Sequence, residues 1–164
     1  MLITEDRPYP VEHWTAQLPR LLEPQGVTAY VARSGREAID VAHRVQIHAA
    51  VIDWGTPIGQ AAPCQTGSTG DPTPDRLFGI ATGGGLGAAA GMWLLELFKR
   101  LPNHPAIVVV LGPAVSQRQF DRLMRDALRL GVFSVVNKPV DLEQMLTVFR
   151  RVIDRRYRGT WPMS

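Results

Sequence analysis

Cysteine is almost missing from this chain: Cys64 is the single one in 164 residues. An internal disulfide is therefore excluded, and a reducing, cytoplasmic setting is the expectation. The opening MLITEDRP lacks the basic start and apolar core of a secretory leader, and it carries two acids in its first six residues. Charge is also scarce. Charged residues make up 20% of the chain and the formal net charge is +3. So small an excess gives little support for a nucleic-acid partner. Five arginines near the C-terminus (Arg150, Arg151, Arg155, Arg156, Arg158) read as a solvated helix face. The histidines (His13, His43, His48, His104) lack metal-ligand spacing, which removes a histidine-based metal centre from consideration.

Apolar residues, by contrast, reach 45%, enough to build a core within one domain of ordinary size. One domain over 1–158 is expected, with a short tail at 159–164 and no output domain. The stretch from Leu77 to Leu95 is uncharged and long enough to cross a bilayer. It is rich in glycine, however, and lies between segments that read as parts of one sheet. A membrane span there would split that sheet, so no membrane partner is expected.

Short strand-like runs alternate with longer helical ones. Strands are predicted over 2–4, 27–32, 48–53, 106–111 and 132–136. Helices are predicted over 11–23 (kinked at Pro19), 34–44, 92–101, 116–131 and 141–157. Ser116 and Asp141 suit N-caps, and Gly131 suits a helix stop. Such alternation implies right-handed βαβ units around a parallel sheet. The expected fold is α/β, a flavodoxin-like doubly wound sheet of order 2-1-3-4-5 with helices on both faces. Residues 58–91 break the rhythm and read as a Gly/Pro/Ala-rich insertion, placed either over the site as a lid or away from it. The GGGLG within it lacks the Lys-Ser/Thr of a phosphate loop.

In a parallel sheet all strands end at one rim. Glu5 and Asp6 follow the first strand, Asp53 ends the third, and Lys138 follows the fifth. Crowded carboxylates repel one another, and a hard divalent cation relieves that repulsion. Mg2+ suits such a site because it takes few protein oxygens and keeps several waters. A carboxylate held by a metal beside an ammonium is suited to receive a phosphoryl group, since both cations offset charge on the transferring oxygens.

These pieces, LITEDRP, AAVIDWGTP and GVFSVVNKPV, together resemble the receiver domain of two-component response regulators over nearly the whole chain except 58–91. The resemblance implies that Asp53 is the phospho-acceptor. It implies that Glu5, Asp6, Asp53 and the Gly55 backbone carbonyl hold Mg2+, and that Lys138 pairs with the phosphoryl group. It further implies a sensor histidine kinase or phosphotransfer protein as donor, a downstream protein partner, and a homodimer through the helix 4–strand 5–helix 5 face.

Three positions depart from that pattern. The family's hydroxyl at the end of strand 4 falls on Gly112, and the next residue, Pro113, has no N–H to offer. Ser116 is an alternative source of the hydroxyl, but it would put Pro113 inside a central strand. Gly112 with helix 4 about one turn longer is favoured. The family's switch aromatic falls on Val135, with Phe133 expected on the same face as a core residue. Two readings follow. One is an atypical single-domain receiver that accepts phosphate on Asp53. The other is a phosphorylation-independent interaction module of the same shape. A phosphatase on a similar sheet would need a second acid near the nucleophile, and DWGTP supplies none two residues on.

Overall fold

The structure, a computed structural model, describes residues 1–5, 13–58, 86–112 and 117–162. Asp6, Cys64, Pro113, Ser116 and most of the 58–91 stretch lie outside the described residues.

The described residues form strands β1 (Leu2–Thr4), β2 (Tyr30–Ala32), β3 (Ala49–Asp53), β4 (Ala106–Leu111) and β5 (Ser134–Asn137). They form helices α1 (Trp14–Leu22), α2 (Gly35–Arg44), α3 (Leu86–Arg100), α4 (Gln117–Arg129) and α5 (Leu142–Tyr157). The strands make one sheet of order β2-β1-β3-β4-β5 with every pair parallel. This is the doubly wound, flavodoxin-like order that the alternating pattern predicts.

Strand periodicity divides the core in two. Ala49, Val51, Val108 and Val110 point to one face and pack with Trp14, Leu18 and Leu22 of α1 and Met145, Phe149 and Val152 of α5. Ala50, Ile52, Ile107, Val109 and Leu111 point to the other and pack with Ala38 of α2, Leu94, Leu95 and Phe98 of α3, and Ala127 of α4. Both faces of β3 and β4 are buried, which is why these strands read as unbroken apolar runs rather than as alternating ones.

Local signals set the helix ends. The Ser34 side chain accepts from the Glu37 N–H at 3.2 Å, and the Glu37 carboxylate accepts from the Arg33 N–H at 2.8 Å, a reciprocal cap on α2. Asp141 caps α5 by accepting from the Gln144 N–H at 2.6 Å. Gly131, at φ 74°, closes α4, where the Val132 N–H donates to the Ala127 carbonyl at 3.3 Å. That bond uses the N–H of Val132, so bonding to β4 begins only with the Phe133 N–H, which donates to the Ile107 carbonyl at 2.7 Å, and β5 runs from Ser134 rather than from 132.

Other boundaries also differ. Strand β2 is confined to Tyr30–Ala32, and α1 runs through Pro19 to Leu22 after a cap from His13. Helix α3 begins at Leu86, six residues before the predicted 92. Glycines made this part of the chain read as loop, although its alanines are the best helix formers. Gly91 is needed there for contact: a Cβ on it would lie 2.8 and 2.9 Å from the Trp54 ring and 3.1 Å from the Trp54 Cα. Glycine thus lets α3 approach the residue next to Asp53.

No helix among the described residues is long and apolar enough to cross a membrane. At the rim opposite Asp53, Trp161 folds back against His48 and Tyr157, with ring centroids 5.9 and 5.3 Å away.

Candidate phosphoryl-acceptor site

The site is built at the carboxyl ends of β1, β3 and β5. Asp53 is the last residue of β3 and lies opposite Val110 of β4. The ladder continues beyond it, because the Trp54 N–H donates to the Val110 carbonyl at 2.9 Å. On the far side of β4 the Lys138 N–H donates to the Leu111 carbonyl at 2.8 Å. Two backbone bonds to successive β4 carbonyls therefore hold the neighbour of Asp53 and Lys138 itself on the same strand. The Lys138–Pro139 peptide is cis.

Lys138 Nζ lies 2.7 Å from Asp53 Oδ2. The other carboxylate oxygen, Oδ1, accepts from the Gly55 N–H at 3.0 Å. Asp53 is buried, with a side chain 5% exposed, while the Lys138 side chain keeps 21% of its surface. The Gly55 N–H and the Lys138 ammonium orient the carboxylate, which carries its charge in a place where charge is costly without a partner.

Beneath it lies a hydroxyl pair that the sequence reading did not single out. Thr4 Oγ1 accepts from the Asp53 N–H at 2.9 Å and from Thr56 Oγ1 at 2.9 Å. Both threonines are fully buried. This cross-link ties the end of β1 to both sides of Asp53. Thr56 also donates its N–H to the Asp53 carbonyl at 3.0 Å, closing a turn around Gly55. Threonine is ordinary in strands, so only the placement of Thr4 before LITED's acids and Thr56 three residues after Asp53 hinted at a role. Further out, the Pro57 and Ile58 carbonyls accept from the first two N–H groups of α2, at 2.8 and 3.0 Å. The segment leaving Asp53 is anchored there on a helix N-terminus that would otherwise carry unpaired donors.

Glu5 reaches the same rim. Its N–H donates to the Ala32 carbonyl at 2.9 Å, which extends the β1–β2 ladder by one residue, and it is only 6% exposed. Two buried acids, Glu5 and Asp53, thus sit at the carboxyl ends of β1 and β3, and Asp53 pairs with Lys138. In kind they fit a hard divalent cation, which takes carboxylate oxygen. Asp6, the third expected ligand, lies outside the described residues, and no group of three or more His, Cys, Asp or Glu is assembled among those described. Gly55 contributes its N–H to Asp53; a role for its carbonyl is an expectation from the resemblance.

Gly112 follows β4 directly and is half-buried. Among the described residues a Cβ there would meet nothing within 4 Å. Pro113 and Ser116 lie outside the described residues. The expected shared face of Phe133 and Val135 is corrected: Val135 packs against the core under α3 and α4, and Phe133 against the core under α1 and α5. Phe133 precedes the strand, so the two-residue period does not reach it.

No protein-family model and no curated protein matches this sequence. Solved structures do match it. NtrX from Brucella abortus, solved in complex with ATP, superposes at a TM-score of 0.61 with 13% identity over 96% of this chain, which spans 27% of the NtrX chain. A response regulator receiver domain protein (CheY-like) from Methanospirillum hungatei JF-1 gives a TM-score of 0.60 with 18% identity, covering 96% of this chain and 94% of that one. A response regulator from Burkholderia pseudomallei, solved with a phosphorylated aspartic acid, a calcium ion and citrate, gives 0.55 with 17% identity over 96% and 69% of the two chains. The chain has the fold of response regulator receiver domains.

Proposed function

We propose that this chain is an atypical receiver that accepts a phosphoryl group on Asp53 and signals through protein contacts. The observation that carries the reading is the buried Asp53 carboxylate at the end of β3 with Lys138 Nζ at 2.7 Å. In this reading a carboxylate oxygen of Asp53 attacks phosphorus, the bond from phosphorus to the donor's leaving atom breaks, and an acyl phosphate forms. Lys138 then shifts its charge from the carboxylate to the transferred phosphoryl oxygens. Glu5, Asp6, Asp53 and the Gly55 carbonyl would hold Mg2+, which when bound offsets charge on the same oxygens. The Burkholderia pseudomallei protein of this fold, with its phosphorylated aspartic acid and calcium ion, supports the analogy. A sensor histidine kinase or phosphotransfer protein is the donor in this reading, and a protein, or a second copy, receives the signal. Turnover of a substrate is not part of it.

The test is intact-mass spectrometry after incubation with acetyl phosphate and Mg2+. One phosphoryl adduct is expected in the wild type and none in Asp53→Asn. An adduct that survives Asp53→Asn overturns the proposal.

A second reading, an interaction module that works without phosphorylation, is favoured by the lack of a hydroxyl at Gly112 and of an aromatic ring at Val135. Folded wild type that takes no phosphoryl group from acetyl phosphate or from a phosphohistidine donor would support it.

Gly112 allows a direct probe. Gly112→Ser adds a hydroxyl where a Cβ meets none of the described residues within 4 Å. A hydrogen bond to a charged group contributes about 1.5–3 kcal/mol, so the ratio of adduct to free protein under limiting donor should rise by roughly tenfold or more. The same mass measurement reads it, and Gly112→Ala should show no gain.

A further inference from the structure

Helix α4 carries a feature that phosphoryl acceptance does not use. Its apolar side chains Phe120, Leu123 and Ala127 pack into the core under that face of the sheet. Arg118, Arg122, Arg125 and Arg129 follow one another at spacings of four, three and four, and all are exposed. At 100° per residue these positions form one narrow stripe pointing directly away from the sheet. The stripe runs about 16 Å at 1.5 Å per residue. A surface hollow of about 290 Å³ opens between Arg122, Arg125, Asp126 and Arg129. Within the helix Arg125 Nε donates to the Asp121 backbone carbonyl at 3.1 Å, which carries no formal charge. Arg122 approaches Asp126 only to 3.9 Å, with 81% of its side chain exposed, and Asp121 accepts from Gln117 at 3.0 Å. Beside the stripe Leu128 is 55% exposed, the most exposed large apolar side chain among the described residues.

We infer that the outer face of α4 docks an acidic amphipathic helix of a partner protein, with its carboxylates on the Arg118–Arg122–Arg125–Arg129 stripe and an apolar side chain on Leu128. Arginine forks match carboxylates in paired geometry, and a partner helix repeats its acids at the same spacing of four and three. Leu128 separates this surface from a polyanion site, because a phosphodiester backbone gains nothing from an exposed leucine. The inference does not depend on Asp53.

The experiment is fluorescence anisotropy with the full chain and a labelled synthetic helical peptide bearing glutamates at spacings of four, three and four, with one leucine beside them. The peptide should bind, and the pair Arg122→Ala/Arg125→Ala should weaken it by roughly tenfold or more. Leu128→Ser should weaken it by roughly threefold. A shuffled peptide of the same composition should bind no better than the design does to the double variant. Arg125→Glu should recover affinity when the facing glutamate is changed to lysine, a readout that misfolding cannot imitate. Asp53→Asn should bind as the wild type does, so failure of phosphoryl acceptance and failure of this surface read separately. Absent binding, equal binding of the shuffled peptide, or variants without effect overturn the inference. A short DNA duplex that displaces the peptide and ignores Leu128→Ser also overturns it, in favour of a nucleic-acid surface.

Discussion

Lys138→Met is expected to destabilise the fold far more than Asp53→Asn does, although both break the same ion pair. Asp53 has a side chain 5% exposed and sits at the end of a central strand, so it cannot leave for water when its partner is removed. Its Oδ1 keeps the Gly55 N–H, while Oδ2 loses the ammonium that lay 2.7 Å away. Removing one partner of a buried pair costs about 3–5 kcal/mol because the other charge stays desolvated. The 21% exposure of Lys138 sets this site toward the lower end. The reverse substitution is milder. Lys138 carries its charge on a flexible four-carbon stem and can turn its ammonium to solvent, so Asp53→Asn leaves no trapped charge. The urea midpoints should therefore fall in the order wild type and Asp53→Asn, then Lys138→Met well below. The double variant Asp53→Asn/Lys138→Met should recover most of the loss, since it removes the carboxylate that the lysine was neutralising. Equal destabilisation by the two single variants, or a double variant as weak as Lys138→Met, would show that packing of the lysine stem and not its charge matters. Lys138→Met should also lose phosphoryl acceptance.

That asymmetry depends on features of unequal legibility in the sequence. The strand ends were legible because parallel strands buried on both faces leave unbroken apolar runs. AIVVVL at 106–111 coincides with β4, and the run ending at Asp53 coincides with the end of β3. Once the strand ends and the sheet order are known, Asp53 and Lys138 must share a rim, and they do. The bracket around Asp53 was not legible, because Thr4 and Thr56 are common residue types whose role lies in a hydroxyl contact between residues 52 apart in sequence. The start of α3 was hidden because its glycines suppress the helical pattern while serving close packing. Phe133 was misplaced by carrying a period of two beyond Ser134, the first residue of β5. The arginines of α4 were overlooked because their meaning needs the direction of the helix as well as its existence. In each case local pattern announces an element, and only tertiary contact says which of its atoms act.

Gly91→Leu is expected to be among the most damaging single changes in the chain, and it tests the link between α3 and the acceptor site. A Cβ at position 91 would lie 2.8 Å from the Trp54 ring, closer than carbon atoms normally approach. Trp54 is 6% exposed, and its N–H is bound to Val110, so neither ring nor backbone has room to yield. Overpacking a rigid core costs about 1–3 kcal/mol and sometimes more. A leucine should reach or exceed the upper value. Gly91→Ala makes the sharper comparison. In an exposed helix interior, alanine is favoured over glycine by about 1 kcal/mol, so propensity alone predicts stabilisation and the contact predicts the opposite. Net destabilisation by Gly91→Ala, measured by urea unfolding, would assign the glycine to packing against Trp54. Stabilisation would mean that the helix can slide aside at little cost. The coupling can be isolated, because Gly91→Ala should cost less in a Trp54→Leu background by about 1 kcal/mol. Trp54 adjoins Asp53 in the chain, so a helix pushed off Trp54 displaces the carboxylate from Lys138. Phosphoryl acceptance should therefore fall in Gly91→Leu even in protein that remains folded, whereas a change remote from this contact with the same loss of stability should leave it intact.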